Sequence, residues 1–213
     1  MENPSTSQTT NSTTTTTNST IMAAASTSQQ LIGHFVKALS SKVPTPGGGA
    51  SAAITAAIGG ATSRMACEYT QRKKDKESGA ASEAMKVITK INLDSLITAA
   101  DDDASAYADL QRTWKDTSIT KEEKEQIEAR ALAVPVTMLE TCHEYVHDVQ
   151  TFLPHCNPNI TSDAKAGIYL LSGAARAAYE TAMVNSPPDE EKIRLKNLLK
   201  DIRKVEDSIL DVE

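Results

Sequence analysis

Leu93, Leu96, Ala100, Asp103, Tyr107, Leu110 and Trp114 follow one another at steps of 3 and 4, the spacing of one helix face. An ionised carboxylate on such a stripe is costly unless it is paired, hydrogen-bonded or facing a polar cleft. Spacing leaves two readings of Asp103 open. It makes a structural hydrogen bond to another helix, or it is a catalytic or ligand-facing group. Asp101 and Asp102 lie on either side of the stripe and read as solvated.

Other short stretches have types and spacing suited to chemistry. His143-Glu144-Tyr145-Val146-His147 matches HExxH, in which two histidines one turn apart bind zinc and the glutamate activates water. Glu144, however, falls on a polar ridge with Glu140 and Asp148, and His143 sits between Leu139 and Val146 at helical spacing. Leu153 stands six residues after His147, where one peptidase class has its third histidine. The pair therefore reads as a packing histidine and a surface one, with no metal.

In Pro44-Thr45-Pro46-Gly47-Gly48-Gly49, unobstructed backbone N–H groups lead into a helix whose positive end can receive an anion; a flexible connection fits the same glycines. Arg72, Lys73, Lys74 and Lys76 form a basic cluster that reads as a solvated loop or as a contact for an anionic ligand tail. In residues 156–163, a turn with Asn157 and Asn159 delivers Ser162 and Asp163 to a helix start. Capping accounts for Ser162 and Asp163, and the two amides suit a heterocycle.

The elements that position these groups read as helix throughout, because alanine is abundant, aromatics are 4% of residues and period-2 alternation is absent. The fold class is all-α, a helical bundle with long antiparallel helices. A first helix carries Leu31, Ile32, Phe35, Val36 and Leu39 after the cap candidates Ser26, Thr27 and Ser28. A second, over about residues 50–70, is so rich in Ala and Gly that it must be central or lie in a dimer interface. A third runs unbroken over about residues 80–114. Thr120-Lys121-Glu122-Glu123 has the capping-box form and starts a fourth to about residue 153, which Pro135 should kink or split. A fifth spans about residues 162–185, and Pro187 and Pro188 open a last one to the C-terminus.

Residues 1–28 are mostly Ser, Thr, Asn and Gln, too polar to offset their ordering entropy, and read as a disordered tail; residues 29–213 form one domain. The 213-residue chain has 22 basic and 28 acidic side chains, a net charge of −6. With few aromatics, that balance argues against nucleic acid as a partner. No stretch is long and apolar enough to span a membrane. Cys67, Cys142 and Cys156 are too scattered for a disulfide framework, which points to a reducing, cytoplasmic location.

Taken together, PTPGGGAS (44–51), RKK (72–74), DASAY (103–107), VP (134–135) and NPNITSD (157–163) resemble, in order and spacing, one family. It comprises the cyclodeaminase domain of formiminotransferase-cyclodeaminase and the stand-alone methenyltetrahydrofolate cyclohydrolases. The likeness covers nearly all of residues 28–186. It implies an all-helical homodimer without metal or cofactor that binds a tetrahydrofolate derivative in a cleft. It assigns Pro46, Gly47, Gly48 and Gly49 to a ligand-binding loop, and Lys73 and Lys74 to the glutamate tail. Asp103, Asn157, Asn159 and Asp163 would surround the pterin and one-carbon unit, with Tyr107 and Ser162 in the same motifs. Asp103 and Asp163 are the candidate catalytic carboxylates. Departures from the family pattern fall at Ala50, Thr161 and residues 113–118, and affect packing or loop shape more than charge.

The implied activity is hydrolysis of 5,10-methenyltetrahydrofolate, cyclodeamination of 5-formiminotetrahydrofolate, or both. The hydrolysis ranks first because a transferase domain that makes the formimino compound is not in this sequence. A carboxylate can stabilise the cationic amidinium and orient or deprotonate the attacking water, a role that suits Asp103. Two other readings stay open: a catalytically silent helical dimer, and the zinc peptidase.

Overall fold

The structure is a computed structural model that describes residues 32–210. The expected tail (1–28), the caps Ser26 to Ser28 and Leu31 lie outside the described residues. Among those described the elements are α1 (Ile32–Leu39), α2 (Gly48–Glu68), α3 (Lys73–Glu77), α4 (Ala80–Lys90), α5 (Leu93–Thr113), α6 (Lys121–Phe152), α7 (Thr161–Val184) and α8 (Asp189–Leu210), with no strand. Short 3-10 turns at Leu153–His155 and Pro158–Ile160 join α6 to α7. The all-α reading holds, and no described helix is long and apolar enough to cross a membrane.

The Ala- and Gly-rich α2 is the centre of the bundle. It packs most extensively on α7 and next on α5, while α6 packs on both α7 and α5, and α8 packs on α6 and α7. Small side chains set how near α2 and α7 approach. A Cβ added to Gly167 would lie 2.1 Å from Ser63 Oγ and 3.0 Å from the Gly59 carbonyl, and one added to Gly59 would lie 2.9 Å from the Leu171 nitrogen. Backbone therefore meets backbone, and Ala52, Ala53, Ala56, Ala174, Ala175 and Ala178 are all buried around the contact. Larger residues at this seam would force the helices apart.

Two expectations about helix continuity are corrected. The single helix over residues 80–114 is two helices, α4 and α5. Asn92 Oδ1 accepts the Ser95 N–H at 3.0 Å, an N-cap, and the Asn92 N–H is drawn to Tyr145 Oη on α6 at 3.1 Å. The chain turns there because both local and tertiary partners reward the break. Conversely, α6 runs unbroken through the buried Pro135. Proline removes the N–H that would bond to the Ala131 carbonyl, and that carbonyl instead accepts from Asn185 Nδ2 at 3.0 Å. A side chain from the end of α7 thus replaces the missing donor.

The start of α6 follows the expected capping box: Thr120 Oγ1 accepts from the Glu123 N–H at 3.2 Å, and Glu123 Oε2 accepts from the Thr120 N–H at 2.9 Å. The short α3 was not expected. Its basic cluster is organised by Arg72, whose guanidinium makes two bonds to Asp75 at 2.7 and 2.8 Å.

Candidate active site

Asp103 lies on α5 opposite the start of α2. Its Oδ2 accepts the Ala50 N–H at 3.0 Å, so the positive end of α2 receives the protein's own carboxylate. Gly49 permits this approach, since a Cβ there would stand 1.9 Å from Asp103 Oδ1. Burial pushes the Asp103 carboxyl above the ordinary aspartate value, and the Ala50 N–H, which favours the ionised form, offsets part of that rise. The interhelical hydrogen bond of the first reading is present, and Asp103 also lines a cleft.

That cleft has a volume of about 430 Å³, and its lining includes Gly47, Gly48, Gly49, Asp103, Tyr107, Leu110 and Trp114. At its rim the Tyr107 and Trp114 rings meet edge to face, centroids 6.3 Å apart, a surface suited to a flat heterocycle. Pro46 is buried, while Pro44 and Thr45 reach the cleft. The opposite wall is the end of α7, with Glu180, Thr181 and Asn185. Sequence reading missed these three, because an amphipathic helix end carries no signal that it faces α2 and α5. The available hint was polar residues beside the small-residue face that ends at Ala178 and Ala182.

The remaining expected site residues lie elsewhere in the chain. Asn157 is at the far end of α2, where its N–H donates to Thr70 Oγ1 and its Nδ2 to the Tyr69 carbonyl, each at 3.0 Å. Its Oδ1 accepts the Asn159 N–H at 3.2 Å, so much of the amide is engaged in structure. The length of α2 separates this group from Asp103 by about 30 Å at about 1.5 Å per residue. Within one chain, Asn157, Asn159, Ser162 and Asp163 do not surround the same space as Asp103. Ser162 also does not cap α7, which begins one residue earlier at Thr161; its hydroxyl donates to Asp163 Oδ2 at 3.2 Å. Lys73 and Lys74 sit at this same end, exposed to solvent, with Lys73 Nζ 3.8 Å from Glu77.

The HEYVH pair also departs from expectation. His143 and His147 are both half-buried, so neither is a plain surface residue, while Glu144 is exposed. Their rings lie 4.5 Å apart and Asp201 of α8 joins them.

The sequence profile of the family described as "Formiminotransferase-cyclodeaminase" matches residues 31–204. A methenyltetrahydrofolate cyclohydrolase from Methylorubrum extorquens is 27% identical over 177 residues, 79% of this chain and 85% of that protein. The formimidoyltransferase-cyclodeaminase of Gallus gallus is 28% identical over 163 residues, 72% of this chain but 30% of the larger relative. The crystal structure of a formiminotetrahydrofolate cyclodeaminase from Thermotoga maritima superposes with a TM-score of 0.70 at 18% identity, covering 85% of this chain and 98% of that one. A profile match across nearly all of the described helices, on a fold shared with that structure, makes this chain a member of the formiminotransferase-cyclodeaminase family.

Proposed function

We propose that the protein is a folate one-carbon enzyme that hydrolyses 5,10-methenyltetrahydrofolate to 10-formyltetrahydrofolate. The observation that carries this reading is the partly desolvated Asp103 carboxylate in an apolar cleft rimmed by two aromatic rings. The relative matched over 85% of its own length bears the cyclohydrolase name, which favours hydrolysis.

Asp103 Oδ2 is held by Ala50, and Oδ1 is assigned to the substrate side. There it faces the cationic amidinium and accepts a proton from the attacking water as the C–O bond forms. The neutral adduct opens when its hydroxyl loses a proton to give the formyl C=O. The bond from that carbon to N5 breaks, N5 takes up a proton, and one proton is released overall. The step uses no metal or cofactor. Tyr107 and Trp114 would stack on the pterin or aminobenzoyl ring. Cyclodeamination is the second reading, favoured by the raised Asp103 pKa: a carboxyl that holds its proton can pass it to the departing ammonia.

A homodimer fits the distances. Ile58, Met65 and Tyr69 are 48%, 38% and 60% exposed along the outer face of α2. Pairing α2 with its copy about a two-fold axis would cover that stripe. It would also bring Lys73, Lys74, Asn157, Asn159, Ser162 and Asp163 of one copy toward the Asp103 cleft of the other. The lysines would then meet the glutamate tail, including a polyglutamate. Three free thiols suit a cytoplasmic site of action.

The test follows loss of the methenyltetrahydrofolate chromophore with wild type and Asp103→Asn. Decay with wild type alone supports the cyclohydrolase. Binding of the folate without decay of either the methenyl or the formimino substrate would leave a silent binding module instead. Ile58→Glu should convert a dimer to a monomer by light scattering.

A further inference from the structure

We propose that His143, His147 and Asp201 form a binding site for a divalent transition cation of the zinc type, which ties α8 to α6. The histidines stand one turn apart on α6, and the fold brings Asp201 of α8 across to them. One donor atom from each residue can be chosen so that all three lie within 4.8 Å of one another.

His143 Nε2 is buried and has no hydrogen-bond partner, and Asp201 Oδ2 stands 3.8 Å from it, beyond hydrogen-bond range. Such an orphaned nitrogen aimed at a carboxylate is costly unless something sits between them. A tetrahedral zinc with ligands at about 2.0–2.1 Å holds its donors roughly 3.3 Å apart. Closing the group therefore needs side-chain shifts of up to about 1.5 Å, which the partly exposed Asp201 side chain permits.

The donor set selects the ion. Two imidazoles and a carboxylate suit zinc, copper or nickel, whereas magnesium and calcium take oxygen ligands. Lys204 Nζ holds Asp201 Oδ1 at 2.8 Å and leaves Oδ2 as the donor, the orienting role of an outer partner. Glu144, the base of the HExxH pattern, is exposed and outside the group, so the site has ligands without a peptidase's base. His143 lies five residues, about 7.5 Å along α6, beyond Met138, the last α6 residue that lines a pocket together with Asp103. The cation, with water in its fourth position, is therefore structural, and it fastens a helix that is also held by Leu195, Ile202, Val205 and Ile209, by the Arg176–Glu206 ion pair and, directly to α6, by the Arg194–Glu140 ion pair.

The test uses the full chain, stripped with chelator, dialysed, and titrated without folate with ZnCl2 by calorimetry and with CoCl2 by visible absorption. One saturable equivalent, the intense bands of tetrahedral cobalt and a rise in melting temperature are expected. His147→Gln and Asp201→Asn should weaken binding by more than the roughly 10- to 100-fold that loss of a supporting residue causes. Glu144→Gln should leave it unchanged. In wild type, zinc should shift two imidazole resonances by NMR and leave those of His34 and His155 in place, a readout independent of how the variants fold. No saturable binding, equal affinity in His147→Gln and Asp201→Asn, or shifts at His34 or His155 instead would overturn the proposal.

Discussion

The Asp103 carboxylate and the Ala50 amide, 53 residues apart in sequence, are joined by a hydrogen bond of 3.0 Å that fixes the carboxylate over the first turn of α2. Partial burial raises the pKa of the same carboxyl, and the Ala50 contact both orients Asp103 and offsets part of that rise. Asp103→Asn can keep the bond to Ala50 through its amide oxygen while losing the base. Turnover should fall by about 10²- to 10⁴-fold, with helicity by circular dichroism unchanged.

The titration of Asp103 gives a signed stability effect. Its pKa is raised in the folded state, so the native protein binds that proton more tightly than the unfolded chain. Its ionisation weakens the fold above the raised value, and the penalty is relieved as pH falls through that value toward the ordinary carboxylate range. Asp103→Asn should melt higher than wild type at neutral pH, and the difference should shrink on acidification. Wild-type turnover should fall over the same interval as the base becomes protonated.

Gly49→Ala places a methyl group 1.9 Å from Asp103 Oδ1, and that contact cannot be kept. The carboxylate must move off the start of α2. The expected outcome is a loss of kcat at least as large as the loss of stability, about 1–3 kcal/mol for an overpacked site, measured by chromophore decay and denaturant titration.

Asn185 serves Pro135 at a distance. Removing its amide in Asn185→Ala leaves the Ala131 carbonyl without its donor, which should cost about 1–3 kcal/mol. Pro135→Ala restores a backbone N–H to the same carbonyl. The double variant should therefore lose less than the sum of the singles, and strict additivity in urea unfolding would remove this link between α6 and α7.

Cys67, Cys142 and Cys156 are free and buried. Burial pushes the first two thiols up to about 12 and raises the third. A thiol reagent at mildly alkaline pH should titrate none of them quickly in the native protein and all three after unfolding.

Local chemistry is what made much of this fold legible in the sequence. The Thr120–Glu123 capping box, the small-residue character of α2 and the paired prolines before α8 act over one turn, and their outcomes follow from nearby residues. Asp103 was legible too, because a carboxylate on an apolar stripe needs a reason. Asn92 was missed because its capping bond competes with strong helix formers on either side, and the partner that helps decide it, Tyr145, is 53 residues away.

By itself, then, the sequence determined an all-helical chain, the family pattern over residues 44–163 and the one carboxylate that had to face something. Tertiary structure alone decided that Asp103 meets Ala50, that Asn185 lets α6 pass through Pro135, and that Glu180 and Thr181 wall the cleft. It also decided that Asn157 and Asp103 stand at opposite ends of α2, and that Asp201 meets the two histidines. Periodicity reports which face of a helix is buried, but not which neighbour buries it. That choice depends on backbone approach, here set by Gly59, Ser63 and Gly167, and on hydrogen bonds between residues far apart in the chain.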